Sequence, residues 1–288
     1  MTDLSLASSG APGATRPPTR GRTAASGASA PSNGFASEVG LLLRRNVREA
    51  LRSPVIAFVF PVLFPLFAET LVASAYSRVS SLATFPVHPY TAYMAPGMVL
   101  LAGMMGSGYS ATALVLDVQT GFLNRMRLLD VRPSAILLSR VLFDALRVLP
   151  AAVVVLVVGL ALGARIDSGP AAVPVLLVMC SVWSVAYGGL FYIVALTTWN
   201  PQAPLAMSPL FILLMFTSTA AMPTNLLPDW LATLSAYNPF TYVTEGARAL
   251  MTGPVDGGAL LAMAAVLVGG VILTQAFVIP LFRRAVER

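Results

Sequence analysis

Six separate stretches of about 20 consecutive apolar residues run through this chain, at roughly 54–75, 94–116, 141–163, 171–196, 203–222 and 259–281. A helix rises about 1.5 Å per residue, so each stretch is long enough to cross a hydrocarbon layer of about 30 Å. A soluble core of this size cannot enclose that much apolar side chain. With 57% hydrophobic and only 10% charged residues, too little polar surface remains to face water. The pattern predicts an all-α integral membrane protein with six transmembrane helices. Pro54, Pro61 and Pro65 lie in or beside the first stretch and predict a kinked helix there. The fourth and fifth stretches are separated only by residues 197–202, a tight turn carrying Trp199 at the membrane interface.

Absent residue types exclude several chemistries. There is one cysteine, Cys180, inside an apolar run, and one histidine, His88. No intramolecular disulfide is possible, and a zinc, iron or copper site lacks its usual ligands. No Ser/His/acid set can assemble around the single His88. All 18 basic residues are arginine. A P-loop needs a lysine on the β/γ-phosphates, so this chain is not a standard P-loop ATPase, and no catalytic residue, cofactor site or metal site is assigned to it.

Arginine placement orients the spans. Seven precede or enter the first span (Arg16, Arg20, Arg22, Arg44, Arg45, Arg48, Arg52). Four follow the second (Arg125, Arg127, Arg132, Arg140), and three close the chain (Arg283, Arg284, Arg288). Arg78, Arg165 and Arg248 fall on the other side. The asymmetry predicts a multi-pass membrane protein with both termini cytoplasmic. The formal charge of +6 is then a matter of topology and anionic headgroups rather than of nucleic acid.

Three segments are more than spans or turns. Residues 1–36 are rich in Gly, Ala, Ser, Thr and Pro and read as a disordered cytoplasmic arm. Residues 37–52 place Val39, Leu42, Leu43, Val47, Ala50 and Leu51 at helical spacing with Arg44, Arg48 and Arg52 on another face, the pattern of a basic amphipathic interface helix. In 117–133, Val118, Phe122, Met126 and Leu129 fall on one helical face among arginines. That suits insertion into a groove on a soluble partner, or a plain positively charged connection. Residues 223–258 are too long for a hairpin loop and too apolar for open water. They predict two short outer helices, around 229–235 and 240–250, broken at Asn238-Pro239 and re-entering the outer leaflet, with Glu245 and Arg248 placed to pair. Asp144 and Arg147 have the spacing for mutual neutralisation. Glu69, in span one, has no sequence-local partner and lies either in a translocation path or near the outer interface.

Together these features resemble the permease subunits of type-2 ABC exporters, especially the drug-resistance group. The resemblance rests on the amphipathic helix at 37–52, the acidic-xxx-Gly-Phe segment Asp117-Val-Gln-Thr-Gly121-Phe122 with Arg125, and Asn238-Pro239-Phe240-Thr241 followed by Glu245 and Arg248. It covers about 37–285, a single six-span permease domain. One departure is that Asp130-Val-Arg132-Pro133-Ser134-Ala135 stands where the family often has a small-residue Pro-hydroxyl-Arg run.

The resemblance implies two ABC ATPase subunits binding ATP and Mg²⁺ in trans, and a second permease copy or paralogue. It implies a coupling helix made by Asp117, Gly121, Phe122, Arg125, Met126 and Leu129, and outer gate helices carrying Asn238, Pro239, Glu245 and Arg248. A seam of spans one and five would then move a hydrophobic or amphipathic drug, antibiotic or lipid. Along it Phe60, Phe64, Phe67, Glu69, Met207, Phe211, Met215 and Phe216 line a path or pack ordinarily. The competing readings are an ion-coupled secondary transporter and a non-transporting membrane assembly subunit.

Overall fold

The computed structural model describes residues 34–78, 85–129, 131–253 and 256–287. The arm expected over 1–36 lies outside the described residues up to position 33. Its last residues instead enter the first helix, α1 (Phe35–Arg52), which starts two positions earlier than expected. The buried positions of α1, Val39, Leu42, Asn46 and Ala50, recur every three to four residues and face the bundle, while Arg44, Arg48 and Arg52 stay exposed.

Five helical segments among the described residues are long and apolar enough to cross a membrane: Val55–Ala75, Tyr90–Gln119, Pro133–Ala161, Ala172–Thr198 and Gly257–Ala285. The first joins a π-helical turn, Val55–Val59, to α2 (Phe60–Ala75). The cause of the irregular turn is in the sequence. Pro61 has no N–H to give the Ala57 carbonyl, and the Arg147 guanidinium supplies that bond from another helix at 3.2 Å. The second segment is α3 (Tyr90–Met105) and α4 (Ser107–Gln119), broken at Gly106. It is the hub of the bundle: every residue from Tyr90 to Met104 is buried, against α2 and the helices over Pro133–Ala161, Ala172–Thr198 and Pro239–Thr252. After the short α5 (Phe122–Leu128) come α6 (Pro133–Ala161) and α7 (Ala172–Thr198).

The fifth expected span, 203–222, is not one helix. It consists of α8 (Gln202–Ala206), a break at Met207-Ser208-Pro209, α9 (Leu210–Phe216), and then irregular chain to Pro223. Pro209 cannot donate back to the preceding turn. Beyond α9 the hydroxyls compete with the helix for its own carbonyls, Thr217 donating to Leu213 O at 2.7 Å and Ser218 to Met215 O at 2.7 Å. A 3₁₀ turn (Thr224–Leu226), α10 (Asp229–Tyr237) and α11 (Pro239–Thr252) follow, and α12 (Gly257–Glu287) closes the chain.

Two ends of the bundle can be told apart by what meets there. At one, here the basal end, the start of α1 meets the start of α6 and the end of α12, with Phe35, Pro133, Ser134 and Arg283 lining one cavity. At the opposite, distal end, α11 meets the start of α3. The broken segment runs between them. Near the basal end Gln119 Nε2 donates to Trp199 O and Thr112 Oγ1 to Pro201 O. Near the distal end Tyr93 Oη donates to Thr219 O and Tyr90 Oη to Ala221 O.

Candidate functional site

The basal end is organised around Asp117. This residue is not on an exposed coupling surface: at the end of α4 it is buried and takes two hydrogen bonds from Arg45 of α1, at 2.6 and 3.0 Å, and an ion pair from Arg140 of α6. Half burial opposes the Arg45 charge, but the hydrogen bond to Asp117 and the attraction of Asp117 and Glu49 outweigh it and raise the guanidinium above its ordinary range. Arg45 also lies 3.7 Å from the centre of the Phe122 ring. Gly121 provides the left-handed turn (φ 69°) that starts α5. Arg132 N donates to Glu38 Oε2 at 3.3 Å, tying the far side of α5 to α1 as well.

The apolar face expected of α5 is therefore divided. Val118, Phe122 and Met126 pack on the protomer's own core, and Leu123 is buried. Leu129 does not share that face: the helix stops at Leu128, and Leu128 and Leu129 are 87% and 68% exposed beside exposed Arg125.

A buried polar ladder continues upward along α6 at Arg140, Asp144 and Arg147. Arg140 donates to Ser110 O at 3.3 Å; Asp144 accepts from Ser110 Oγ and from Tyr192 Oη, the latter at 2.6 Å. Arg147 lies 3.6 Å from Asp144 and donates to Ala57 O and, at 2.6 Å, to Gly106 O. A Cβ at Gly106 would overlap the guanidinium where it stands, so a side chain there would displace Arg147 from this position. The expected Asp144–Arg147 neutralisation is part of a larger network joining the π-helical turn, the Gly106 break, α4, α6 and α7. Sequence reasoning missed Arg140 and Arg45 as its members. The available signal was the spacing of Arg140, Asp144 and Arg147, which share one face of a helix.

At the distal end Asn238 caps α11 through Oδ1, which accepts from Phe240 N at 2.9 Å. Its Nδ2 donates to Leu214 O and Thr217 Oγ1. Pro239 occupies the first turn of α11, where no backbone donor is needed. Glu245 and Arg248 pair at 2.7 Å. Arg248 further donates to Tyr93 O and Thr219 O and stacks 3.6 Å from the Tyr93 ring, while Thr219 Oγ1 donates to Glu245. In the irregular stretch 217–223, the carbonyls of Thr219 and Ala221 are thus met by side chains of α3 and α11.

The residues considered for a path separate into two groups. Phe64 and Phe211 meet edge to face with ring centroids 5.2 Å apart, joining α2 to α9, and Met215 is buried beside them. Phe60, Phe67 and Phe216 lie on an exposed apolar face with Leu63, Leu71 and Leu213. Met207 is partly buried at the break between α8 and α9. Glu69 is wholly buried, wedged against Ala95 and Gly159, and neither carboxyl oxygen has a hydrogen-bond partner among the described residues.

These features define a multi-pass helical membrane protein with an exposed hydrophobic tip at one end and a side-chain-braced irregular segment at the other. The chain belongs to the ABC-2 type transporter family, whose profile matches residues 37–252. It is 26% identical over 213 residues to a daunorubicin resistance ABC transporter permease protein, DrrB1, of Streptomyces coeruleorubidus, covering 72% of each chain. It is 29% identical over 207 residues to a probable doxorubicin resistance ABC transporter permease protein, DrrC, of Mycobacterium tuberculosis, covering 69% of this chain and 70% of the relative. A putative transport permease, ycf38, of Cyanophora paradoxa is 25% identical over 223 residues, 75% of this chain and 74% of its own.

Proposed function

We propose that the chain is the permease subunit of an ATP-driven exporter of hydrophobic or amphipathic compounds (drug, antibiotic or lipid), energised by two separate ABC ATPase subunits that bind ATP and Mg²⁺. The observation that carries this is the tip of α5. Leu128 and Leu129 project beside Arg125 from a helix whose Phe122 lies under Arg45 of α1, and Arg45 with Arg140 of α6 holds Asp117 of α4, so a push on the tip reaches the spans. The basal end, with its arginines, is the cytoplasmic side of a bacterial inner membrane, and both termini lie there.

Residues 202–219 make the sixth crossing. They leave the level of Thr112 and reach that of Tyr93, a separation of about 28 Å along a helix. A second permease, identical or paralogous, covers the exposed face of Phe60, Leu63, Phe67, Leu71, Leu213 and Phe216, and the hydrophobic cargo passes along that seam. The outer pair α10 and α11 closes it, with Trp230 and Tyr237 exposed at the far interface.

Co-purification tests the reading. Wild type retains an ATPase and supports ATP-dependent uptake into inverted vesicles, and Leu128→Glu with Leu129→Glu loses the ATPase while keeping its helix content. Retention of the ATPase by the double variant refutes the docking surface. One observation favours the ion-coupled alternative, the buried Glu69 without a hydrogen-bond partner among the described residues; uptake that survives ATP depletion and collapses with the proton gradient would select it.

A further inference from the structure

Helix α7 packs along both α6 and α12, while α6 and α12 barely touch each other. A trough remains between them on a face made by helices other than α2 and α9. Its basal part has a volume of about 350 Å³ and is walled by Leu137, Leu138, Val141, Val185, Val271 and Phe282. A second cavity of about 570 Å³ continues it past Leu146 and Leu149, with Val185 and Val271 common to both. From Ser134 to Leu149 the trough follows α6 for about 22 Å, enough to pass through one leaflet of a hydrocarbon core about 30 Å thick.

The polar groups on this apolar trough are few and placed by depth. Arg283 and Ser134 stand at the basal mouth. Deeper, Gln275 lines the wall, but its Nε2 is closed off from the trough. A cation at the mouth and a long apolar slot beneath it match the order of groups in one molecule, phosphate and then acyl chain. We infer that the α6–α7–α12 trough binds one anionic phospholipid of the basal leaflet, its phosphate on Arg283 and an acyl chain along Val185 and Val271. This inference rests on membrane placement and is independent of the exporter reading.

The test is native mass spectrometry of the full chain purified in mild detergent, followed by delipidation and titration with phosphatidylglycerol or phosphatidylcholine. The expected result is one phosphatidylglycerol per protomer, bound at least tenfold more tightly than phosphatidylcholine and raising the melting temperature. Arg283→Gln removes that preference. Val271→Trp, which fills the trough, abolishes retention; Leu138→Trp at the exposed rim does the same should the former fail to fold. Equal binding of the two lipids, a preference unchanged in Arg283→Gln, or retention unchanged in the tryptophan variants overturns the inference. So does finding that the retained mass is a second chain or a hydrophobic small molecule.

Discussion

Removing one member of the Asp144–Arg147 centre exposes how it holds the bundle. Both side chains are almost fully buried, at 4% and 2% exposure, and their charges are 3.6 Å apart at closest approach. In Asp144→Ala the guanidinium keeps two carbonyl acceptors but loses its counter-charge in a place that water does not reach. Breaking one side of a buried pair costs about 3–5 kcal/mol. Arg147→Met should cost at least as much, because it also takes the guanidinium from the Ala57 carbonyl, worth about 1–3 kcal/mol when left unmet, while Gly106 O keeps its bond from Tyr109 N. By contrast, Tyr192→Phe removes a single hydrogen bond to Asp144, for which about 0.6 and no more than about 1.7 kcal/mol is expected inside a membrane. The double variant Asp144→Ala/Arg147→Met should fall short of the sum of the singles by about 1–3 kcal/mol. Reversible unfolding in bicelles, followed by far-UV ellipticity against rising SDS, measures all four. Single changes at 144 and 147 costing under about 1 kcal/mol, or a strictly additive double variant, would show that the pair is not the centre described.

Further outcomes follow from the same contacts. Gly159→Ala would bring a Cβ within 2.5 Å of Glu69 Oε1, an overpacking worth about 1–3 kcal/mol; Glu69→Ala in the same chain should recover most of it, measured in the same titration. Asp117→Asn should free α1, seen as faster amide exchange over 35–52 with no change in α12, because Arg45 and Arg140 both lose their shared anion. Asn238→Ala removes a cap worth about 1 kcal/mol together with the ties to Leu214 and Thr217. A cysteine placed at Thr217 should then be modified faster by an impermeant maleimide than in the parent, and an unchanged rate would contradict the bracing role of Asn238.

Apolar length made the long helices legible, since a run such as 141–163 has no other place to go than hydrocarbon or a core. The outer turn was legible because Asn-Pro caps and starts a helix by local chemistry alone. Two things were not. The break in 203–222 depends on Pro209 and a hydroxyl tract inside a run whose mean hydropathy still looks like a span, so a count of apolar residues passes over it. The shared anion at Asp117 is also hidden, because Arg45 lies 72 positions away in sequence and Arg140 reads as a loop cation until α6 is seen to begin at Pro133. Glu69 was legible as unusual. Its enclosure by Ala95 and Gly159 is a property of three helices, and no spacing within α2 could announce it.

The braced stretch 217–223 also constrains how the chain is made. Thr219 and Ala221 have carbonyls met by Tyr90, Tyr93 and Arg248, and Arg248 is synthesised 29 residues after Thr219. When Thr219 is added to the chain, its last partner does not yet exist. The stretch therefore cannot reach its final form in the order of translation, and must wait until the Asn238-capped helix has folded back against α3.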